Sequence, residues 1–131
     1  MPVSYEIDRD RGLIRTRCYG PTTLPEVLEH FEVLRAQPDL PERLDGLLDL
    51  TDMVGAPERD QLRAIAGGMK GMTSQVTFGA FAIVAPGDLL FGMSRMLGIF
   101  AEGLIASTGV FRTLPEAERW LEQQQRARRA P

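Results

Sequence analysis

The strongest constraint on this 131-residue chain is a regular exchange between two hydrophobic periods. Val3-Ser4-Tyr5-Glu6-Ile7 alternates, Asp10-Arg11-Gly12 supplies a turn, and Leu13 to Tyr19 continues extended, so the first two strands form an antiparallel hairpin. Gly20-Pro21 closes the second strand. From Thr23 the period becomes helical: Leu24, Val27, Leu28, Phe31 and Leu34 make one apolar stripe ending near Gln37-Pro38, and Thr23 and Glu26 have the spacing of a capping box. Leu47-Leu48-Asp49-Leu50 reads as a short buried strand. Pro57 can open a second helix with Leu62, Ile65, Ala66 and Met69 inside, its end loosened by Gly67, Gly68 and Gly71. Phe78 to Ala85 is a central strand, Asp88 to Ile105 a helix, and Gly109-Val110-Phe111-Arg112 the last strand. Thr113-Leu114-Pro115-Glu116 starts a final helix that buries Ala117, Trp120 and Leu121. The order ββαβαβαβα predicts one α/β domain in which a five-stranded mixed, mostly parallel sheet packs with four helices. The basic end, about 124–131, is expected to fray into a solvated tail, with weak contact to anionic lipid as the alternative.

The helix after Pro86-Gly87 is unusually apolar, because between Asp88 and Ile105 only Arg95 and Glu102 carry charge. At 100° per residue Leu89, Met93, Met96, Leu97, Phe100 and Leu104 share a broad face suited to a sheet. Phe91 and Ile99 project from the other side beside Gly92 and Gly103. Glycine inside a helix costs roughly 0.8 to 1 kcal/mol relative to alanine, so a second apolar surface that retains glycines calls for something to cover it. Phe91, Gly92, Arg95, Ile99 and Gly103 are therefore the expected ligand or partner surface.

Composition excludes more than it selects. The chain is 44% hydrophobic and 25% charged with a formal net charge of -3, an ordinary globular balance with no cationic field for nucleic acid. The start of the sequence lacks the basic and apolar regions of a signal peptide and no segment is long enough to span a membrane, so a cytoplasmic location is expected. Cys18, the single cysteine, excludes an internal disulfide and sits in an apolar strand, where a buried thiol is expected. His30 is the single histidine, at the border of the first helix's stripe. A metal cluster or a Ser-His-Asp triad has too little material, and no Gly-x-Gly-x-x-Gly turn links a strand to a helix, so neither a metal nor a nucleotide cofactor is expected. In open α/β sheets ligands gather at the carboxyl ends of strands, where Thr22, Thr23, Thr51, Asp52, Asp88 and Arg112 should lie. Of these, Thr51, Asp52, Asp88 and Arg112 are the polar candidates for orienting a head group. Helix capping by Asp88 and a turn at Asp52 are the plainer structural readings, and Asp49 is a candidate partner for Arg112.

The element order and size, Ala82-Ile83-Val84-Ala85-Pro86, Phe91-Gly92-Met93-Ser94-Arg95-Met96, Val110-Phe111-Arg112, Glu116-Ala117 and Trp120-Leu121 together resemble the sporulation-protein AA-like family. These are small bacterial relatives of the STAS domain, and their architecture is shared with CRAL-TRIO lipid-carrier domains. The resemblance implies a STAS-like fold and a regulatory or binding role without catalysis. In anti-sigma-factor antagonists of that fold, the helix after the third strand begins with an Asp-Ser-Ser-Gly type sequence whose serine is phosphorylated. Here the region reads Asp49-Leu50-Thr51-Asp52-Met53-Val54-Gly55-Ala56-Pro57-Glu58-Arg59, with no serine. Glu58 near that position is explained by the positive end of the helix dipole, so a phosphoserine switch is not expected there. Two functions follow as expectations: binding of a small apolar ligand or lipid, or of the membrane surface, beneath the apolar helix; or interaction with a second copy or a signalling protein through Phe91 and Ile99.

Overall fold

The computed structural model describes residues 3–129. Five strands, β1 (Val3–Asp8), β2 (Leu13–Pro21), β3 (Arg43–Val54), β4 (Thr77–Val84) and β5 (Ile105–Phe111), form one sheet in sequential order. The helices are α1 (Leu24–Arg35), α2 (Arg59–Lys70), α3 (Asp88–Phe100) and α4 (Leu114–Arg129). β1 pairs antiparallel with β2 and every later pair is parallel, so the predicted order and mixed sheet are observed. Each parallel crossover steps to the next strand in the same direction, and uniform handedness then places α1, α2 and α3 on one face. α4 covers the other.

The two faces are packed differently. On the α4 side, Ala117 and Leu121 meet Leu13, Leu47, Ala80, Ala82 and Val84, and these small β4 residues let the helix backbone approach the sheet closely. On the other side the sheet presents Phe78, Phe81, Ile83 and Leu48, and α2 approaches no strand backbone to that extent. α2 instead crosses α1 at Gly68, where an added Cβ would stand 2.5 Å from the Phe31 ring. That glycine, expected to loosen the helix end, is a packing position inside a helix that runs on to Lys70.

Several boundaries and roles differ from the sequence reading. β3 runs for twelve residues instead of four, because its polar members find partners: Asp45 is bound by α4, Asp49 accepts from Thr51, and Asp52 pairs with Arg17. Asp52 is thus a strand residue, not a turn residue. α3 stops at Phe100, leaving Gly103 in the following turn at φ +83°, and β5 begins earlier than expected. The basic end is not frayed over residues 124–129. α4 continues to Arg129 because Gln125 and Arg128, three residues apart on one helix face, both reach the fully buried Asp45. Residues 130–131 of the expected tail lie outside the described residues.

Candidate functional site

The looser face of the sheet contains an apolar cavity of about 140 Å³ between the strands and α1 to α3. Two core clusters bound it. Ile14, Leu44, Met69, Met72 and Phe78 pack at the amino ends of the strands, while Cys18, Leu50, Ile83 and Leu90 pack toward the carboxyl ends. Long side chains on both layers hold them apart without filling the space, so the lining atoms lose dispersion contacts that a closed core would retain. The walls are almost entirely carbon.

Six polar side chains interrupt that wall: Thr16, Cys18, Thr22, His30, Ser94 and Thr108. Thr22 follows β2, and its hydroxyl oxygen is shut off from solvent with no hydrogen-bond partner, the one such side-chain atom among the described residues. His30, from α1, is wedged between the edge of Tyr5 at 5.3 Å and Phe31 at 6.1 Å between ring centroids. Burial lowers its pKa to about 4, because the imidazolium would lose its hydration there. Burial, aided by the negative charge of Asp49, pushes the Cys18 thiol up to about 11. Both groups are neutral at neutral pH, so the cavity presents hydrogen-bonding capacity without net charge. The lone cysteine and lone histidine, set at apolar positions, were the sequence signals of this chamber. A void has no residue signature of its own.

The surface expected on α3 is only partly assembled. The helix docks with Leu90, Ser94, Leu97 and Ala101 inward, so the face predicted from Leu89, Met93, Met96, Leu97, Phe100 and Leu104 is rotated; Leu89 is 66% exposed. Two contacts fix the rotation. Gly98 lets Thr108 of β5 approach to 3.3 Å of where a Cβ would stand, and Phe91 is covered by Arg112, whose guanidinium carbon lies 4.0 Å from the ring centroid. Phe91 is therefore largely covered by this chain itself, while Ile99 remains 62% exposed. Phe91, Arg95 and Ile99 line one open groove between α3 and the free edge of β5; Gly92 faces open space and Gly103 lies in the turn beyond.

The polar candidates divide into two clusters. Arg112 donates to Asp88 at 2.7 Å and to the Pro86 carbonyl at 3.0 Å, joining the ends of β4 and β5 to the first turn of α3. Gly87, not Asp88, is the N-cap. Thr51 bonds Asp49 and Asp52 pairs with Arg17, so neither Asp49 nor Asp52 shares Arg112. The capping box between Thr23 and Glu26 is present, with the Thr23 N–H donating to Glu26 Oε1 at 2.8 Å. Glu58 caps α2 and its N–H donates to Gln61 Oε1 at 2.8 Å, as a residue holding a helix start would. Among the described residues no group of three or more His, Cys, Asp or Glu side chains is placed to hold a metal ion, and no helix is long and apolar enough to cross a membrane.

No family model matches this sequence, and no curated protein matches it. Among solved structures, an uncharacterised protein of the DUF3478 family from Shewanella loihica PV-4, described as having a SpoIIAA-like fold, superposes with a TM-score of 0.60 over 91% of each chain. Sequence identity is 18%. At that identity the likeness carries architecture and not chemistry. With the sequential sheet, the antiparallel first strand and three helices on one face, the fold of this chain is SpoIIAA-like.

Proposed function

We propose that this chain is a non-catalytic binding module whose ligand is a small, largely apolar molecule held between the sheet and α1 to α3. The observation supporting this reading is the cavity. An engineered cavity of about 150 Å³ lined by Leu, Ile and Phe stays dry and binds benzene, and the chamber here is of that size and lining. A single ring or a short branched chain fits, whereas a phospholipid acyl chain requires α1 to α3 to move off the sheet. The absence of catalysis is part of the proposal: the candidates Asp52, Asp88 and Arg112 are engaged in ion pairs at the surface.

Titration with benzene, followed by thermal unfolding, tests the reading. Occupancy raises the unfolding temperature by mass action, and replacing Ser94, buried in the wall, by leucine fills the chamber and removes the rise. An unfolding curve indifferent to benzene at millimolar concentration rules the ligand reading out. A second reading, self-association through the outer face of α3, is favoured by the exposure of Leu89 and Ile99 and by the groove along β5. Sedimentation distinguishes it: a dimer that Ile99→Glu dissociates supports self-association, and a monomer in both forms excludes it.

A further inference from the structure

We infer that two copies of this chain join at the free edge of β5, their β5 strands pairing antiparallel about a two-fold axis at Thr108 to make one continuous sheet. The inference rests on the reading of self-association through α3 and adds that the strand edge beside that helix carries the contact.

β5 ends the sheet, and its outer edge is unguarded. Edge strands are ordinarily blunted by charges, proline or a bulge, because their unpaired backbone groups invite a further strand. β1, at the opposite edge, exposes Glu6 and Asp8. β5 has neither charge nor proline from Ile105 to Phe111, and it runs beside β4 without the register shifts that interrupt the two parallel pairings before it. One bond gives the direction of its backbone groups: the Ala85 N–H donates to the Phe111 carbonyl at 2.8 Å. In a strand the N–H and C=O of a residue point to one side and successive residues alternate, so Ser107, Gly109 and Phe111 face β4 while Ala106, Thr108 and Val110 face outward. That outward set is self-complementary. With Thr108 on the axis, it exchanges both bonds with Thr108 of the second copy, and Ala106 does the same with Val110 of the second copy.

The flank of α3 beside this edge selects a second copy over an unrelated strand. Gly98 packs on Thr108, so an axis at Thr108 passes close to Gly98. Arg95 lies about one turn before that point and Glu102 about one turn beyond it, just past the helix end, and both border the groove along β5. Both are exposed, and neither forms an ion pair among the described residues. A two-fold rotation brings Arg95 of each copy to Glu102 of the other, while Ile99, 62% exposed and next to the axis, meets its counterpart.

Amide hydrogen exchange of the full chain, read residue by residue by NMR at low and high concentration alongside sedimentation, tests this without any variant. Where sedimentation shows a dimer, the amides of Ala106, Thr108 and Val110 are expected to slow about tenfold or more relative to the dilute monomer, and those of Ser107 and Gly109, already bonded to β4, to be slow in both. A dimer whose three outward amides exchange as fast as in the monomer overturns the edge pairing and leaves self-association through α3 standing. A monomer at every concentration removes that reading and this inference with it. Charge exchange at two exposed positions tests the register. Arg95→Glu alone and Glu102→Arg alone each place like charges together and are expected to weaken the dimer roughly tenfold, whereas an equimolar mixture of the two variants, in which every contact joins opposite charges, is expected to restore it. A mixture no more associated than either variant alone overturns the two-fold arrangement.

Discussion

His30 and Asp45 are the two titratable side chains whose surroundings make opposite demands. The His30 ring, between Tyr5 and Phe31 at the cavity wall, is neutral when folded with its pKa lowered to about 4 by burial. As pH falls below about 6.5 the unfolded chain takes up a proton at this residue and the folded chain does not, so stability is lost between about 6.5 and 4. Below about 4 both states are protonated and no further loss arises here. Allowing for the ring's partial exposure, the loss is at most about 2 kcal/mol, and His30→Leu should abolish it, as urea unfolding at pH 7 and pH 4.5 would show. For Asp45, burial works to raise the pKa, but hydrogen bonds from Arg128, Gln125 and the Ala80 N–H outweigh it and hold the carboxyl below its ordinary value of 3.8. Its contribution is complete at neutral pH and is lost as pH falls below about 4, a window separate from that of His30. Asp45→Asn leaves Arg128 without its counter-charge, and at pH 7 it should cost roughly 2 to 4 kcal/mol in the same assay.

The same carboxylate accounts for how α4 ends, which was the least legible element. A run of glutamines and arginines carries no hydrophobic period, so residues 124–129 read as solvent-facing tail; their reason to be helical is Asp45, some eighty positions away. β3 was underestimated for the related reason that its aspartates break the apolar run and find their partners only in tertiary structure. α3 shows a third limit. In a helix apolar nearly all round, periodicity cannot set the rotation, and the decisive contacts, Gly98 against Thr108 and Arg112 over Phe91, join residues distant in sequence. Caps and element order were legible because their physics is local: Thr23 with Glu26 lie within one turn, and the alternation of periods alone dictates a mostly parallel sheet. The role of α4 can be tested by shortening it. Ending the chain after Gln124 removes both contacts to Asp45 and is expected to destabilise the domain by about 3 kcal/mol or more. Arg126→Ala, which removes only an exposed pair with Glu122, should change stability by less than about 0.5 kcal/mol. Equal small effects would return the segment to the status of a tail.

Across the whole molecule, the sheet divides a tight half from a loose one. α4 sits close on Ala80, Ala82 and Val84, and its end is tied through Gln125 and Arg128. α1 to α3 rest on long side chains over a cavity, so fewer dispersion contacts resist their displacement. The cavity was illegible in sequence because it arises from where bulky side chains of two layers fail to meet, not from a motif. That asymmetry predicts an order of local opening, since segments with sparser apolar packing exchange their amides through lower-energy fluctuations. In native-state hydrogen exchange, amides of Leu62 to Met69 in α2 should exchange faster than those of Ala117 to Gln124 in α4, although both are helix interiors. Saturating benzene should slow exchange in α1 to α3 while leaving α4 nearly unchanged, because occupancy restores contacts on one face of the sheet alone. Uniform protection of all four helices, or slowing that includes α4 equally, would show that the chamber and the helices above it open only with the whole domain.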